Sequence, residues 1–447
     1  MNANVLQFPH KSTPRTEVAQ FVRIGEFHRK FGDFHATGSL PLKRVVVEAS
    51  RIERQEQLIK DLQNEGVEVV LDLGAAEVSS VNRYTTHFKN APWLGSTLGH
   101  PLLPSDFDRA CIDRMAHLAV KFGVSCVLAP THYLADPNVS DWLDVDLRLC
   151  EMLRQALDEN GGKRIAIDYP VIHSSSGISD ATFRRSLSEG LSNLPIDNLW
   201  FRISGLGKYL GPKKTRQMIR SLAGFHNLGL PMVLDYSGGM TAQAALAFGS
   251  VSGAAFGINE FNQFQANGWH KPMPERDPDT EFGRAQFVQI GDLGRGFKKN
   301  EFTVLAQARG GRRVLLPSGN PLTNSIDEMI KNRDEIAAQD AVQCIERIEN
   351  VPDQNRERDF LDHPLKEMER KARDVSRLKP NTTLAKELWV DIDSLTKRTT
   401  AHFEMTEKVA LALEKLHEER GIGAPRSRTC VRSNSNIQQT NLRKDDQ

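Results

Sequence analysis

Cysteine is scarce and scattered in this chain. Its 447 residues hold five, Cys111, Cys126, Cys150, Cys344 and Cys430, with no CxxC pair among them. The odd number and wide spacing argue against a disulfide framework or a structural zinc site, and favour reduced thiols in a cytoplasmic protein. Long apolar runs are missing too: none approaches the ~18 residues needed to span a bilayer. The opening MNANVLQFPHKSTPRTE lacks the continuous apolar stretch of a secretory signal. Neither sign of charge dominates, with 58 Lys+Arg against 57 Asp+Glu and a net charge of +1, so no global field recruits nucleic acid or an anionic membrane. Short catalytic signatures are absent as well. There is no P-loop, no HExxH and no GxSxG. Gly205–Leu206–Gly207 continues with Lys208 and Tyr209, which misplaces the third glycine of a dinucleotide fingerprint.

What the chain does contain is a recurring unit. Short, β-branched apolar runs lie at 45–50, 67–72, 125–133, 164–172, 198–205, 231–239 and 252–260, each separated from the next by a helix-sized segment. Strands buried on both faces have this continuous apolar character, because helices cover both sides of a parallel sheet. An eighth run, RRVLLPSGN at 312–320, follows a Gly- and charge-rich insertion through 268–311. Eight such units predict an α/β fold, a (β/α)8 TIM-type barrel over residues 41–350, with an open doubly wound sheet as the competing arrangement. Residues 1–40 show no sustained period and read as a partly ordered N-terminal arm. Residues 351–420 read as charged C-terminal helices, with Val409, Leu413 and Leu416 at helical spacing. Residues 421–447 read as a disordered, polar and basic tail.

Three of the runs end in aspartate: VEVVLD, RIAID and PMVLD. In barrel enzymes the active site occupies the rim formed by the carboxyl ends of the strands. The ring read from those ends contains Glu48, Asp72, His132, Tyr133, Asp168, Tyr169, Arg202, Asp235, Tyr236, Glu260, Ser318 and Asn320. So many ionisable groups at one level exceed what packing requires, since a buried charge costs several kcal/mol unless it is paired. Asp and Ser are also ordinary turn and cap residues, so any single member has a structural explanation of equal weight.

Asp168, Asp235 and Glu260 are the expected acid–base trio, because paired carboxylates divide proton transfer when their environments push their pKa values apart. Asp72, His132, Tyr133, Tyr169 and Arg202 are expected to bind substrate. So are Tyr236, Ser237, Gly238 and Gly239 of the YSGG turn, Asn259, Ser318 and Asn320. Of the three Gly-rich turns, YSGG has the best context for an anion, since a helix begins within two residues of it. Arg202 suits bidentate pairing with a carboxylate or phosphate. The amide- and aromatic-rich GINEFNQFQANGWHKP (257–272) suits a sugar or a nucleobase.

The function expected is therefore carboxylate-based acid–base chemistry of hydrolase, lyase or glycosyl-transfer type on a small polar, sugar- or phosphate-bearing substrate. The alternative is a non-catalytic or regulatory barrel that assembles, as a homo-oligomer or on nucleic acid, through its C-terminal helices and tail. A metal-dependent hydrolase using His132, His173 and the carboxylates is the third. No cofactor is indicated, and no motif of metal-ligand spacing is present.

Overall fold

The computed structural model describes residues 17–25, 30–96, 99–207, 209–257, 262–273, 286–316, 324–421 and 423–430. Eight parallel strands close into a barrel: β1 (Ala19–Ile24), β2 (Arg44–Glu48), β3 (Glu68–Asp72), β4 (Cys126–Leu128), β5 (Ala166–Ser174), β6 (Leu199–Ser204), β7 (Met232–Leu234) and β8 (Gly253–Phe256). β8 pairs back onto β1, with Ala19 opposite Gly253 and Val22 opposite Phe256. The connecting helices include α1 (Glu56–Asn64), α2 (Arg109–Lys121), α3 (Trp142–Glu159), α4 (Ala181–Leu191), α5 (Pro212–Ala223) and α6 (Gly239–Ala247). Asp108 and Asp180 cap α2 and α4 by accepting from Cys111 N and Phe183 N, satisfying otherwise orphaned first-turn donors.

The fold class predicted from the sequence is the one observed, but one strand comes from elsewhere. β1 lies in the segment read as an arm, where Gln20 and Arg23 interrupt the apolar run and hide it. The run read as the eighth strand instead forms a short helix at Gly311–Leu315, the ambiguity inherent in a brief apolar stretch. Ser318 and Asn320, assigned to that strand's end, lie outside the described residues.

Alternation along the strands sorts side chains between two surroundings. Outward residues such as Val22, Val45, Val69, Val127, Ile167 and Leu199 form one core with the surrounding helices. Inward residues fill the barrel: Phe21, Val46, Val70, Leu128, Trp200, Val233 and Ala255 make a dry middle layer, with the Phe21 and Trp200 rings edge-on at 4.7 Å. One step towards the carboxyl end, the inward positions become charged.

A second module follows β8. It comprises an antiparallel hairpin, β9 (Phe287–Ile290) with β10 (Arg295–Lys298), then α7 (Lys299–Ala306), α8 (Arg333–Glu349), α9 (Lys366–Ser376) and α10 (Ile392–Arg420). The hairpin and helices share a separate core of Val288, Phe297, Phe302, Leu305, Met329 and Val375. Val342, Ile345, Met368, Val409, Leu413 and Leu416 join the barrel's outer core, so the charge-dense region packs through buried stripes. No helix among the described residues is long and apolar enough to cross a membrane.

The tail departs from expectation over residues 423–430, which lie against the lower end of the barrel. Ser427 N donates to Gly249 O at 2.8 Å, and Met232 N donates to Ser427 Oγ at 3.1 Å. Arg426 Nη2 donates to the final carbonyls of α6, Leu246 O and Ala247 O. Cys430 is buried among the barrel's inward residues beside Ala19. Removing residues 424–447 should therefore lower the unfolding free energy by about 2–4 kcal/mol through lost hydrogen bonds and an unfilled floor, as read by urea denaturation. An unchanged midpoint would mean that this segment contributes nothing to the fold.

Candidate active site at the barrel mouth

Three charged side chains on strands and a fourth, Asp235, at the residue after β7 meet at the upper end of the barrel. Arg23 of β1 grips Asp235 in a two-pronged contact, Nε to Oδ1 at 2.7 Å and Nη2 to Oδ2 at 2.6 Å. Its third nitrogen, Nη1, donates to Asp72 Oδ2 at 2.9 Å. Arg202 of β6 spans the same two carboxylates, with Nε 2.7 Å from Asp235 Oδ2 and Nη2 2.6 Å from Asp72 Oδ2. All four are almost completely buried. Burial opposes the charged form of each arginine, but the carboxylates outweigh it and hold both guanidinium pKa values above their ordinary range. Burial would likewise raise the Asp72 pKa, yet Arg202 and Arg23 hold it below the usual carboxylate value.

The backbone around this network is shaped to serve it. Gly74 N donates to Asp72 Oδ1 from a left-handed conformation, and a Cβ there would lie 2.9 Å from the Phe88 ring. Tyr236 is also left-handed, with φ 52°, which is unusual for an aromatic residue. Its N–H donates to Asp235 Oδ1 at 2.8 Å, and its ring lies 4.0 Å beneath the Arg23 guanidinium.

Beside the network lies a carboxyl that the arginines do not satisfy. Glu77, in the helical turn Ala75–Val78 after β3, is 3% exposed, and its Oε2 has no hydrogen-bond partner. Burial, followed by the charge of Asp72, pushes its pKa up to about 7. Glu48, at the end of β2, is held by Arg51 Nε and His87 Nε2, each at 3.0 Å.

An aromatic cap covers the mouth. Tyr133, Tyr236, Phe264 and Trp269 cluster with Ile172 and Ala266. The Tyr133 hydroxyl donates to Asn267 Oδ1 at 2.8 Å, Ala266 N donates to Ser204 Oγ at 2.8 Å, and Asn82 N donates to Trp269 O at 2.9 Å. Arg83 lies over the Trp269 ring at 6.0 Å.

Of the residues expected from sequence, Asp72, Arg202, Asp235, Tyr236 and Tyr133 converge here. Asp168 does not. Ile172 pairs with Arg202, and Asp168 lies four residues earlier on β5, about 13 Å down the strand. There it accepts from Asn198 Nδ2 at 2.9 Å and Trp200 Nε1 at 2.7 Å, while burial raises its pKa to about 7. Asp168 and Asp235 are thus no pair across a pocket.

Tyr169 points outward into the helix-facing core. His132 also turns away from the mouth: Nδ1 lies 2.6 Å from Asp146 Oδ1 of α3, and its ring stacks on Trp142 at 3.8 Å. His173 packs edge-on against Phe183 of α4, and burial lowers its pKa to about 4. The two histidines therefore do not combine with the carboxylates. Among the described residues, no three His, Cys, Asp or Glu side chains are grouped to hold a metal. Ser237 is buried with its Oγ unpartnered, and Gly238 and Gly239 lead into α6 beside Asn262. Asn259 and Glu260 lie outside the described residues.

Sequence reasoning missed Arg23 and Glu77. The first was concealed with its strand. The second carries no motif, although its position five residues beyond Asp72 on a turn leaving β3 was available. No family model matches the chain, and a search of curated proteins finds no relative.

Asp235→Asn should cost about 3–5 kcal/mol of unfolding free energy, because it leaves two buried guanidinium groups short of a counter-charge. Urea titration reads this directly, and a shift under 1 kcal/mol would count against a structural role. Glu77 gives a separate pH signature. Between its ordinary value of 4.5 and about 7, the folded protein keeps a proton that the unfolded chain releases, so this stabilisation falls as pH rises. In Glu77→Gln the loss disappears: stability relative to the parent should increase from pH 4.5 to about 7 and then level off. Parallel profiles would refute the assignment.

Proposed function

We propose that this protein is a barrel enzyme in which Glu77 carries out acid–base chemistry on a small polar substrate admitted beneath the aromatic cap. The observation that carries the reading is a carboxyl at the catalytic end of the barrel, unpartnered at Oε2, with a pKa at about 7. A general acid or base works best when its pKa lies near the operating pH. The neighbouring Asp72 is already satisfied by arginine and serves as a fixed charge that helps keep Glu77 poised. A sugar-like substrate suits the mouth, since Tyr133, Asn267 and Trp269 offer hydroxyl, amide and aromatic surfaces together.

Complete saturation of Asp72 and Asp235 favours one other reading, a barrel whose buried charges only hold its strands together. A panel of nitrophenyl glycosides and sugar phosphates distinguishes the two. Turnover by the parent should fall about 10²–10⁴-fold in Glu77→Gln without loss of fold. Turnover unaffected by that substitution would eliminate Glu77 as the proton-transfer group.

A further inference from the structure

Trp389 is 95% exposed, the most exposed large hydrophobic side chain among the described residues. Its backbone is left-handed, with φ 56°. The helix Thr382–Glu387 ends there: Val390 N donates to Ala385 O at 2.8 Å and Trp389 N donates to Lys386 O at 3.2 Å. This six-to-one and five-to-two pattern places Trp389 at the position where helices ordinarily use glycine. A bulky residue is strained in that conformation, and no burial of the ring offsets the strain. The fold gains nothing visible from tryptophan here.

The ring stands at the edge of a cleft of ≈ 530 Å³, bordered also by Lys298, Lys299, Asn300, Ser394 and Arg398. The acidic groups in the cleft are already engaged. Glu301 accepts from Arg398 Nη2 at 2.8 Å, and Asp391 caps α10 by accepting from Asp393 N and Ser394 N. Lys298 and Lys299 are exposed and form no ion pair among the described residues. Phe287, 41% exposed, lies directly opposite Lys298 in the β9–β10 hairpin and so shares its face. An exposed tryptophan thus shares the cleft with two unpaired cations at the start of α7, and a second exposed ring, Phe287, lies on the neighbouring strand beside Lys298. Flat rings bind flat rings, and adjacent ammonium groups bind phosphate.

We propose that this cleft binds a nucleotide, with the base stacked on Trp389 and the phosphate held by Lys298 and Lys299. The nucleotide is either free or a unit of a single strand. The site is separate from the barrel mouth and does not depend on catalysis there.

The other four tryptophans, Trp93, Trp142, Trp200 and Trp269, are at most 7% exposed, so acrylamide quenching of the full-length protein reports chiefly on Trp389. Millimolar AMP and a ten-nucleotide oligo(dA) are each tested for protection of that emission, with maltotriose as the neutral-ring comparison. Protection by AMP equal to that by the oligonucleotide assigns a free nucleotide; markedly tighter protection by the oligonucleotide assigns a strand. Because replacing Trp389 removes the emitting ring, the variants are compared with the parent by isothermal titration calorimetry, in which Trp389→Ala should weaken whichever binding is seen by roughly 5- to 150-fold. Replacing both lysines by alanine should make the logarithmic salt dependence of oligonucleotide binding shallower by about 1.4. Trp389→Gly relieves the left-handed strain, so it should lose binding while its Tm stays level or rises. Protection by maltotriose alone, by none of the three, or binding unaltered in these variants would overturn the assignment.

Discussion

Two guanidinium groups and two carboxylates, dehydrated inside the top of a closed barrel, form the interaction on which the rest depends. Arg23, Asp72 and Arg202 come from β1, β3 and β6 and Asp235 directly follows β7, so their bonds cross the barrel instead of running along the sheet. Their formal charges cancel. Each ion forfeits several kcal/mol of hydration, which is recovered only because the geometry lets every carboxylate oxygen find a donor. Such an arrangement tolerates little displacement, and that explains the left-handed Gly74 and Tyr236 on either side of it.

This charge balance also explains why Glu77 differs from its neighbours. Once two cations are matched by two anions, another buried carboxylate would be uncompensated, and Glu48 already has Arg51 and His87. Glu77 therefore favours its protonated form up to about pH 7. Asp168 reaches a similar value, again mainly through burial, opposed by hydrogen bonds from Asn198, Trp200 and Cys126 and reinforced by the charge of Asp197. Position distinguishes the two: Glu77 lies near the rim, where the strands end and the cap begins, and Asp168 lies well below it.

Much of this architecture was legible in the sequence, and the failures have physical causes. Seven strands announced themselves as apolar runs because helices cover their outer faces. β1 did not, since its Arg23 points inward to the charged layer and breaks the pattern. Asp72, Arg202, Asp235 and Tyr236 were correctly placed at one level because β3, β6 and β7 end near them. Asp168 was misplaced because β5 runs nine residues, leaving an aspartate at its third position far below the rim. His132 and Tyr133 show how a single step reverses direction: one faces α3 and the other faces the mouth. Glu77 was invisible because its importance comes from a turn that folds back towards Asp72, which no local pattern encodes.

The link between Arg23 and Asp235 joins residues 212 positions apart, and Ala19 meets Gly253 at the seam. Ring closure therefore carries a large loop entropy and is intrinsically slow. Until the first strand arrives, Asp72 and Asp235 face only one arginine and must keep water around them. Without its first strand the sheet keeps two carboxylates against a single arginine, so closing the seam and neutralising the centre depend on the same residues.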